Sequence, residues 1–410
     1  MHTRLLITAA CLLGLLSTVG AALPYPILPP LFAADAPNAL NNFLGLPPKL
    51  LFGIALAINP LGLLIGSALL GPLSDRYGRR PVLLITALGA AIGHAITALA
   101  LVMQAYPLFL AARFFTGLLE GNGSVARAML ADRLEGSLRL RAMAWLNGAF
   151  YMGWLVGPLL AAVTLQWGIT VPFLVAVVAL VLAAALVAIA LPTEAASLAT
   201  TSWWQVTRDR HALNLLRIPQ LRTLFIVQLT YTCGVTAFYE FYPLWLVEVA
   251  HFGATGIAWT TAGLCALMTS ASLVAGKPSR TESLRRAQGH AFLAAAAVAG
   301  VALGNAWIGI AAIVLFGIPN AFYNAIIPNW CAERFGEHGQ GAVMGLISTT
   351  FCLANILMAI AGSILTLVDT RLILVLGAAL TAWGARKLGR WRTQLAHDDI
   401  VPSARLPAAV

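Results

Sequence analysis

The chain has 410 residues, 60% of them hydrophobic and only 10% charged. A soluble protein of this size carries about 25% charged residues, so the composition excludes an ordinary soluble enzyme or binding module. The formal charge of +10 would suit a nucleic-acid binder, but the basic residues are spread between apolar runs and form no patch, so no nucleic-acid partner is expected.

Twelve apolar runs, each of about the 20 residues a bilayer core requires, follow one another. They lie near 5–30, 50–70, 81–103, 106–131, 142–164, 169–191, 222–247, 256–275, 287–304, 306–331, 341–364 and 370–388. The first begins after Arg4 and continues to Pro30 through a Leu23-Pro24-Tyr25-Pro26 kink. That is too long for the apolar core of a cleaved leader, so it reads as an uncleaved span. The connection 31–49 is rich in Pro and Asn and holds Asp35 and Lys49.

Alternate connections are basic. Arg or Lys occurs in 71–80, 132–141, 192–221, 276–286 and 332–340, and in none of the turns 104–105, 165–168 and 305. Of the 25 Lys and Arg, all but Lys49, Arg113 and Arg371 fall on that side. The positive-inside rule puts these loops and both termini in the cytoplasm. The longest inner segment, 192–221, carries Arg208, Asp209 and Arg210, with Trp203 and Trp204 as interface anchors. It divides the chain into an N-terminal bundle 1–191 and a C-terminal bundle 222–388, with a tail 389–410. The five cysteines, Cys11, Cys233, Cys265, Cys331 and Cys352, lie in or beside apolar runs and read as small buried hydrophobes.

Three stretches carry more than topology. The first is Gly71-Pro72-Leu73-Ser74-Asp75-Arg76-Tyr77-Gly78-Arg79-Arg80, one acid among three arginines between the second and third spans. Gly276 to Arg280 repeats the Gly71 to Asp75 spacing in the second half, with arginine in place of the acid. The second is the fourth span, where Arg113 precedes Gly117 and where Arg113, Glu120 and Arg127 are seven apart. On one helix they form a single stripe. A charge facing lipid costs at least about 2.5 kcal/mol, so the stripe must face protein or a wet cavity. The third is Gly153-Trp154-Leu155-Val156-Gly157-Pro158 in the fifth span, with both glycines on one face and a proline that favours a kink.

Together these resemble the major facilitator superfamily: its loop between helices 2 and 3, its fourth-helix arginine motif and the G-x-x-x-G-P motif of its antiporters. The resemblance implies an all-α membrane protein of twelve helices in two six-helix bundles. It also implies that Arg113 takes part in proton coupling, with Glu120 where the family usually has a small or uncharged residue. An acid after the fourth span pairs with the loop arginine in that family, so Asp132 is expected to meet Arg79 or Arg76. Asp75 is expected near the start of the eleventh helix, around Gly341, where the helix dipole favours an anion. There it would act as a conformational latch with Gly71, Arg76, Gly78, Arg79, Arg80 and Asp132.

The remaining polar groups leave choices open. Glu240, in Phe238-Tyr239-Glu240-Phe241-Tyr242-Pro243, is either a titrating acid that joins Glu120 and Arg113 in coupling or an interfacial group among aromatics. Asn320, Tyr323 and Asn324 in the tenth span, with Asn329 beyond them, contact either substrate or a neighbouring helix. Tyr231 and Asn147 are counted with them as substrate candidates. Glu248 reads as lying just outside the bilayer, and His94 as a satisfied polar side chain rather than a proton relay.

No phosphate-cradling loop, H-E-x-x-H or G-x-S-x-G motif occurs, so neither an enzyme nor a cofactor is expected and an ion gradient is the expected energy source. The first half resembles bacterial drug:proton antiporters of the tetracycline-efflux type. That implies a monomer in the bacterial inner membrane exchanging protons for a small organic compound. The alternatives are an importer or facilitator of a small metabolite or siderophore-like ligand, and a non-transporting receptor on the same scaffold.

Overall fold

An apolar run in a bilayer has no water to satisfy its amides, and the helix answers this by pairing each backbone group within its own segment. The computed structural model describes residues 2–32, 38–191, 212–274, 283–335 and 340–400, and every regular element among them is helical. The first crossing is two helices, α1 (His2–Ala22) and α2 (Pro24–Phe32), interrupted at Leu23 where the proline-rich kink was expected. Then come α3 (Pro48–Tyr77) and α4 (Arg79–Val102), joined by Gly78 alone. Its φ of 92° is a left-handed conformation that disfavours a residue with a Cβ.

The fourth crossing departs from expectation. The sequence reading made 106–131 one span; the chain forms α5 (Tyr106–Glu120) and α6 (Gly123–Arg133), broken at Gly121-Asn122. The N-terminal half closes with α7 (Gly136–Thr164) and α8 (Val171–Ala190). The second half contains α9 (Pro219–Glu248), α10 (Ala254–Val274), α11 (Ser283–Ala302), α12 (Ala306–Arg334), α13 (Gln340–Leu365) and α14 (Thr370–Ile400). α14 runs well past 388, and Pro402, which would end a helix, comes only after it. Nine helices among the described residues are long and apolar enough to cross a membrane. α5 with α6, α10 and α11 fall where the other three of twelve crossings are expected.

Within the first half α1 packs on α7, α3 on α5, and α4 on α5 and α8; within the second, α9 packs on α14, α11 on α12 and α14, and α10 on α12. The halves meet through α3 against α13 and α7 against α10. Three buried apolar clusters follow this plan. One lies in the first half around Leu13, Leu83 and Leu146, and one in the second around Phe238, Trp245 and Phe316. The third is shared, with Phe52 and Tyr106 from the first half and Phe241 and Met358 from the second. The outer surface shows large apolar side chains such as Ile85, Leu182 and Trp307, which suits contact with lipid. Four of the five cysteines are buried and Cys11 is partly so.

Several residues singled out from sequence lie outside the described ones: Asp35, Trp203, Trp204, Arg208, Asp209, Arg210, Gly276 and Arg280. The side chains of Asn147 and Asn329 and the surroundings of Gly341 are likewise outside them.

Candidate functional site

The site starts with a charge that must be compensated. Glu120, the last residue of α5, is buried, and its Oε1 lies 2.9 Å from Nε2 of His94 on α4, which is wholly buried. The second carboxylate oxygen accepts a 3.5 Å hydrogen bond from the Asn59 amide on α3. The same amide donates to the Arg113 carbonyl at 3.2 Å. The buried Arg113 guanidinium donates to the carbonyls of Gly20 and Ala21, both at 3.2 Å. Those carbonyls are available because α1 ends at Ala22 and leaves its last C=O groups without helical partners. Gly20 has no room for a side chain: a Cβ there would lie 2.3 Å from Nε2 of His94 and 2.4 Å from Oε1 of Glu120.

The stripe expected from the sequence is therefore only half present. Arg113 and Glu120 share a buried neighbourhood, but the break after Glu120 carries Arg127 onto another helix, where its guanidinium stacks 4.8 Å over the Phe150 ring. Asn122, in the break, accepts from Ser17 and donates to Thr86, each at 3.2 Å.

Beside the charges lies a small cavity lined from both halves, with room for little more than a water molecule. Arg113 and Asn59 are its polar lining, and Tyr25, Trp154 and Phe351 are its aromatic lining. Trp154 meets Tyr25 and Phe351 edge-on, with ring centroids 5.6 and 5.1 Å apart. Phe351 belongs to α13, so the aromatic wall crosses from one half to the other. The Tyr25 hydroxyl also crosses, donating to Asn355 at 3.1 Å.

The second half contributes a different interior. Asn320 on α12 accepts from the Tyr231 hydroxyl at 3.2 Å and from the Asn324 amide at 3.1 Å, and donates to the Tyr239 hydroxyl at 3.1 Å. Tyr231 stacks on Tyr323 with centroids 3.5 Å apart, and Tyr323 donates to Gln228 at 3.1 Å. Four of the five substrate candidates, Asn320, Tyr323, Asn324 and Tyr231, thus meet, and Tyr239 and Gln228 complete their hydrogen bonds. Glu240 stands apart, buried on α9 with neither carboxyl oxygen in a hydrogen bond among the described residues. The Tyr25 hydroxyl is within electrostatic reach of both Glu240 and Arg113.

The sequence profile of the Major Facilitator Superfamily matches residues 10–359. The chain is a member of the Major Facilitator Superfamily. Tetracycline resistance protein, class B, of Escherichia coli is 31% identical over 168 residues, 41% of this chain and 39% of that protein. The class C protein of Escherichia coli is 33% identical over 165 residues, 40% of this chain and 39% of that one. The match therefore spans about two fifths of the length of these relatives. The crystal structure of the human organic anion transporter MFSD10 superimposes with a TM-score of 0.70 at 19% identity, covering 94% of this chain and 99% of that one. That of a D-xylose-proton symporter gives 0.73 at 14% identity, covering 95% and 98%. These two likenesses establish the fold alone: a multi-pass membrane protein of the facilitator architecture.

Two facilitator motifs have definite geometry here. In the loop between α3 and α4, Arg79 is the node: Nη2 lies 2.5 Å from Asp75 and 2.9 Å from Asp132, Nε donates to Asp132 at 3.1 Å, and Nη1 reaches the Ser74 hydroxyl. Of the two arginines expected for Asp132, it is Arg79 that meets it. Arg76 lies over the Tyr77 ring, and Arg80 donates to the Ala188 carbonyl at 2.9 Å. All these contacts stay within the first half, and Asp75 has an ion pair one helical turn away; its expected contact with α13 around Gly341 lies outside the described residues. In α7, Gly153 and Gly157 let the helix press on α1: a Cβ at Gly153 would sit 2.5 Å from Cβ of Thr18, and one at Gly157 would sit 2.7 Å from Cβ of Ala22. Pro158 follows inside the same helix.

His94 and Asn59 are the functional candidates that sequence reading did not select. Neither stands in a motif, and the only local signal was a polar side chain in an apolar run.

Proposed function

We propose that this facilitator-family protein exports a small organic compound by alternating access, driven by protons moving the other way. The observation that carries this reading is the buried Glu120–His94 pair beside a cavity shared by the two halves. In a low-dielectric interior a charge persists only while its partners stay in place. Ionised Glu120 is compensated by His94, Asn59 and the nearby Arg113; a proton on Glu120 removes the need for them. Protonation thereby shifts which packing of α3, α4 and α5 is preferred, and substrate entering beside Arg113 acts on the same groups. Glu240, whose carboxyl oxygens have no hydrogen bond among the described residues, is the second-half candidate for the same role.

Export rather than import is favoured by the tetracycline resistance relatives and by the close α1–α7 packing at Gly153 and Gly157. On this reading the arginine-rich loops and both termini face the cytoplasm of a bacterial inner membrane. The protein works as a monomer. The Arg79 node then acts as the latch on the cytoplasmic side. The test is a panel of organic compounds, tetracycline included, added to acid-loaded everted vesicles that contain the protein. Compound-evoked proton release that depends on Glu120 supports the proposal. Uptake that ignores the pH gradient overturns it.

A further inference from the structure

Far along α3 from Arg79, at its other end, a second ion pair joins the two halves. The Lys49 ammonium, in the first turn of α3, lies 2.7 Å from Oε1 of Glu248, the last residue of α9. It also donates at 2.7 Å to the carbonyl of Thr366, just beyond α13. The other Glu248 oxygen accepts from the Thr370 hydroxyl, the first residue of α14, at 2.5 Å. The pair closes over a tight layer: Phe52 meets Phe241 edge-on at 6.0 Å, and a Cβ on Gly53 would lie 2.2 Å from Cβ of Ser363.

Each of these charges is at the wrong end of its own helix. A helix N-terminus carries partial positive charge and a C-terminus partial negative charge. Lys49 is a cation at an N-terminus, and Glu248 is an anion at a C-terminus. Each becomes favourable only through what it touches: Lys49 through the carbonyl end of α13 and the Glu248 carboxylate, Glu248 through the N-terminal end of α14 and Lys49. Both Lys49 partners belong to the opposite half, so parting the halves here would leave that ammonium facing its own helix dipole. Glu248 would keep Thr370 but lose its countercharge. The neighbouring Asp369 accepts from the Arg371 backbone amide at 2.7 Å and has Arg371 Nε 4.0 Å away, so it has its own partner.

We infer that Lys49 and Glu248 are positioning residues of the transport cycle: the pair holds this end shut in the present state and breaks when the cavity opens toward it. The inference rests on the alternating-access reading, and not on the substrate, the coupling ion or the direction of transport.

The test uses the full chain in proteoliposomes of known orientation. Leu56, on the cavity wall, is changed to cysteine in a background where the five native cysteines are replaced. A membrane-impermeant maleimide is then applied to one face at a time. Lys49→Gln and Glu248→Gln should raise labelling from the Lys49 face roughly three- to tenfold and lower it from the other face. Lys49→Arg, which keeps the charge, should label like the parent. Exchanging the two charges in one variant should recover part of the shift, since it restores the ion pair but turns a carboxylate toward the Thr366 carbonyl. Parental labelling from both faces in the Gln variants overturns the inference, and so does a Lys49→Arg variant as altered as Lys49→Gln. The assay needs neither substrate nor proton gradient, so it remains readable if the export proposal fails.

Discussion

The two halves solve the same problem, polar groups in lipid, in opposite ways. The first buries charges: Arg113 on carbonyls left open by a helix end, and Glu120 against His94 and Asn59. The second buries neutral groups that exhaust one another, with Asn320 satisfied at both its oxygen and its nitrogen by Tyr231, Asn324 and Tyr239. A fully satisfied neutral network rigidifies, because any rearrangement leaves a polar group orphaned. A charged cluster changes its demands whenever a proton binds. On the proposed reading the difference gives mobility to the first half and the role of a firm frame to the second, with Glu240, which has no hydrogen-bond partner among the described residues, as the exception.

Glu120→Gln is the strongest way to break that contrast. It keeps the shape and removes the titration, so insertion should persist while proton-coupled transport falls by an order of magnitude or more, measured as pH-dependent flux in everted vesicles. Unchanged flux and unchanged pH dependence would return Glu120 to a structural role. Gly20→Ala comes next: its Cβ would press into His94 and Glu120, an overpacking expected to cost about 1–3 kcal/mol and to lower flux with it. Thermal unfolding in detergent, set beside flux, separates the two effects. Asn320→Ala should show the reverse pattern. It strands the hydroxyl of Tyr231 and the amide of Asn324, lowering stability by about 1–3 kcal/mol, while the ratio of protons to substrate stays as in the parent. A changed ratio would erase the distinction between the halves.

The smallest effects belong to the loop. Asp75 and Asp132 have side chains 45% and 54% exposed, so either Asn variant should cost at most about 1 kcal/mol. Each single change leaves Arg79 one acid. The double variant should therefore slow transport by more than the two single effects combined, and simple additivity would show that Arg79 is not a shared node.

What the sequence made legible follows from how local each signal is. Apolar runs declare their own helices, whereas the Asp75–Arg79 ion pair was not read from the one-turn spacing, because the family resemblance directed Asp75 to the eleventh helix. Asp132 was also readable, because the loop signature implied its partner. The His94–Glu120 bond was not: the residues stand 26 apart on different helices, and nothing in either neighbourhood names the other. Asn59 was hidden for the same reason. The break in the fourth crossing had a visible sign in Gly121-Asn122-Gly123, a turn-forming triplet, but the apolar residues on both sides read as one continuous span. Asn320, Asn324 and Tyr231 were grouped from the sequence, whereas Tyr239, which accepts from Asn320, comes from α9 and became apparent only in the packed structure.

That break also has a mechanical meaning. A continuous helix transmits torque, so a twist at one end reaches the other with little loss. Here the crossing is two short rods hinged at Gly121-Asn122, and the hinge pin is Asn122, held by Ser17 on one side and Thr86 on the other. Glu120 ends the first rod, and Asp132, gripped by Arg79, lies one residue before the end of the second. On the proposed alternating-access reading, this joint would let the charged core turn without dragging the loop, and the loop unlock without shearing the core. The two steps are geared through a joint, with enough slack for one to precede the other.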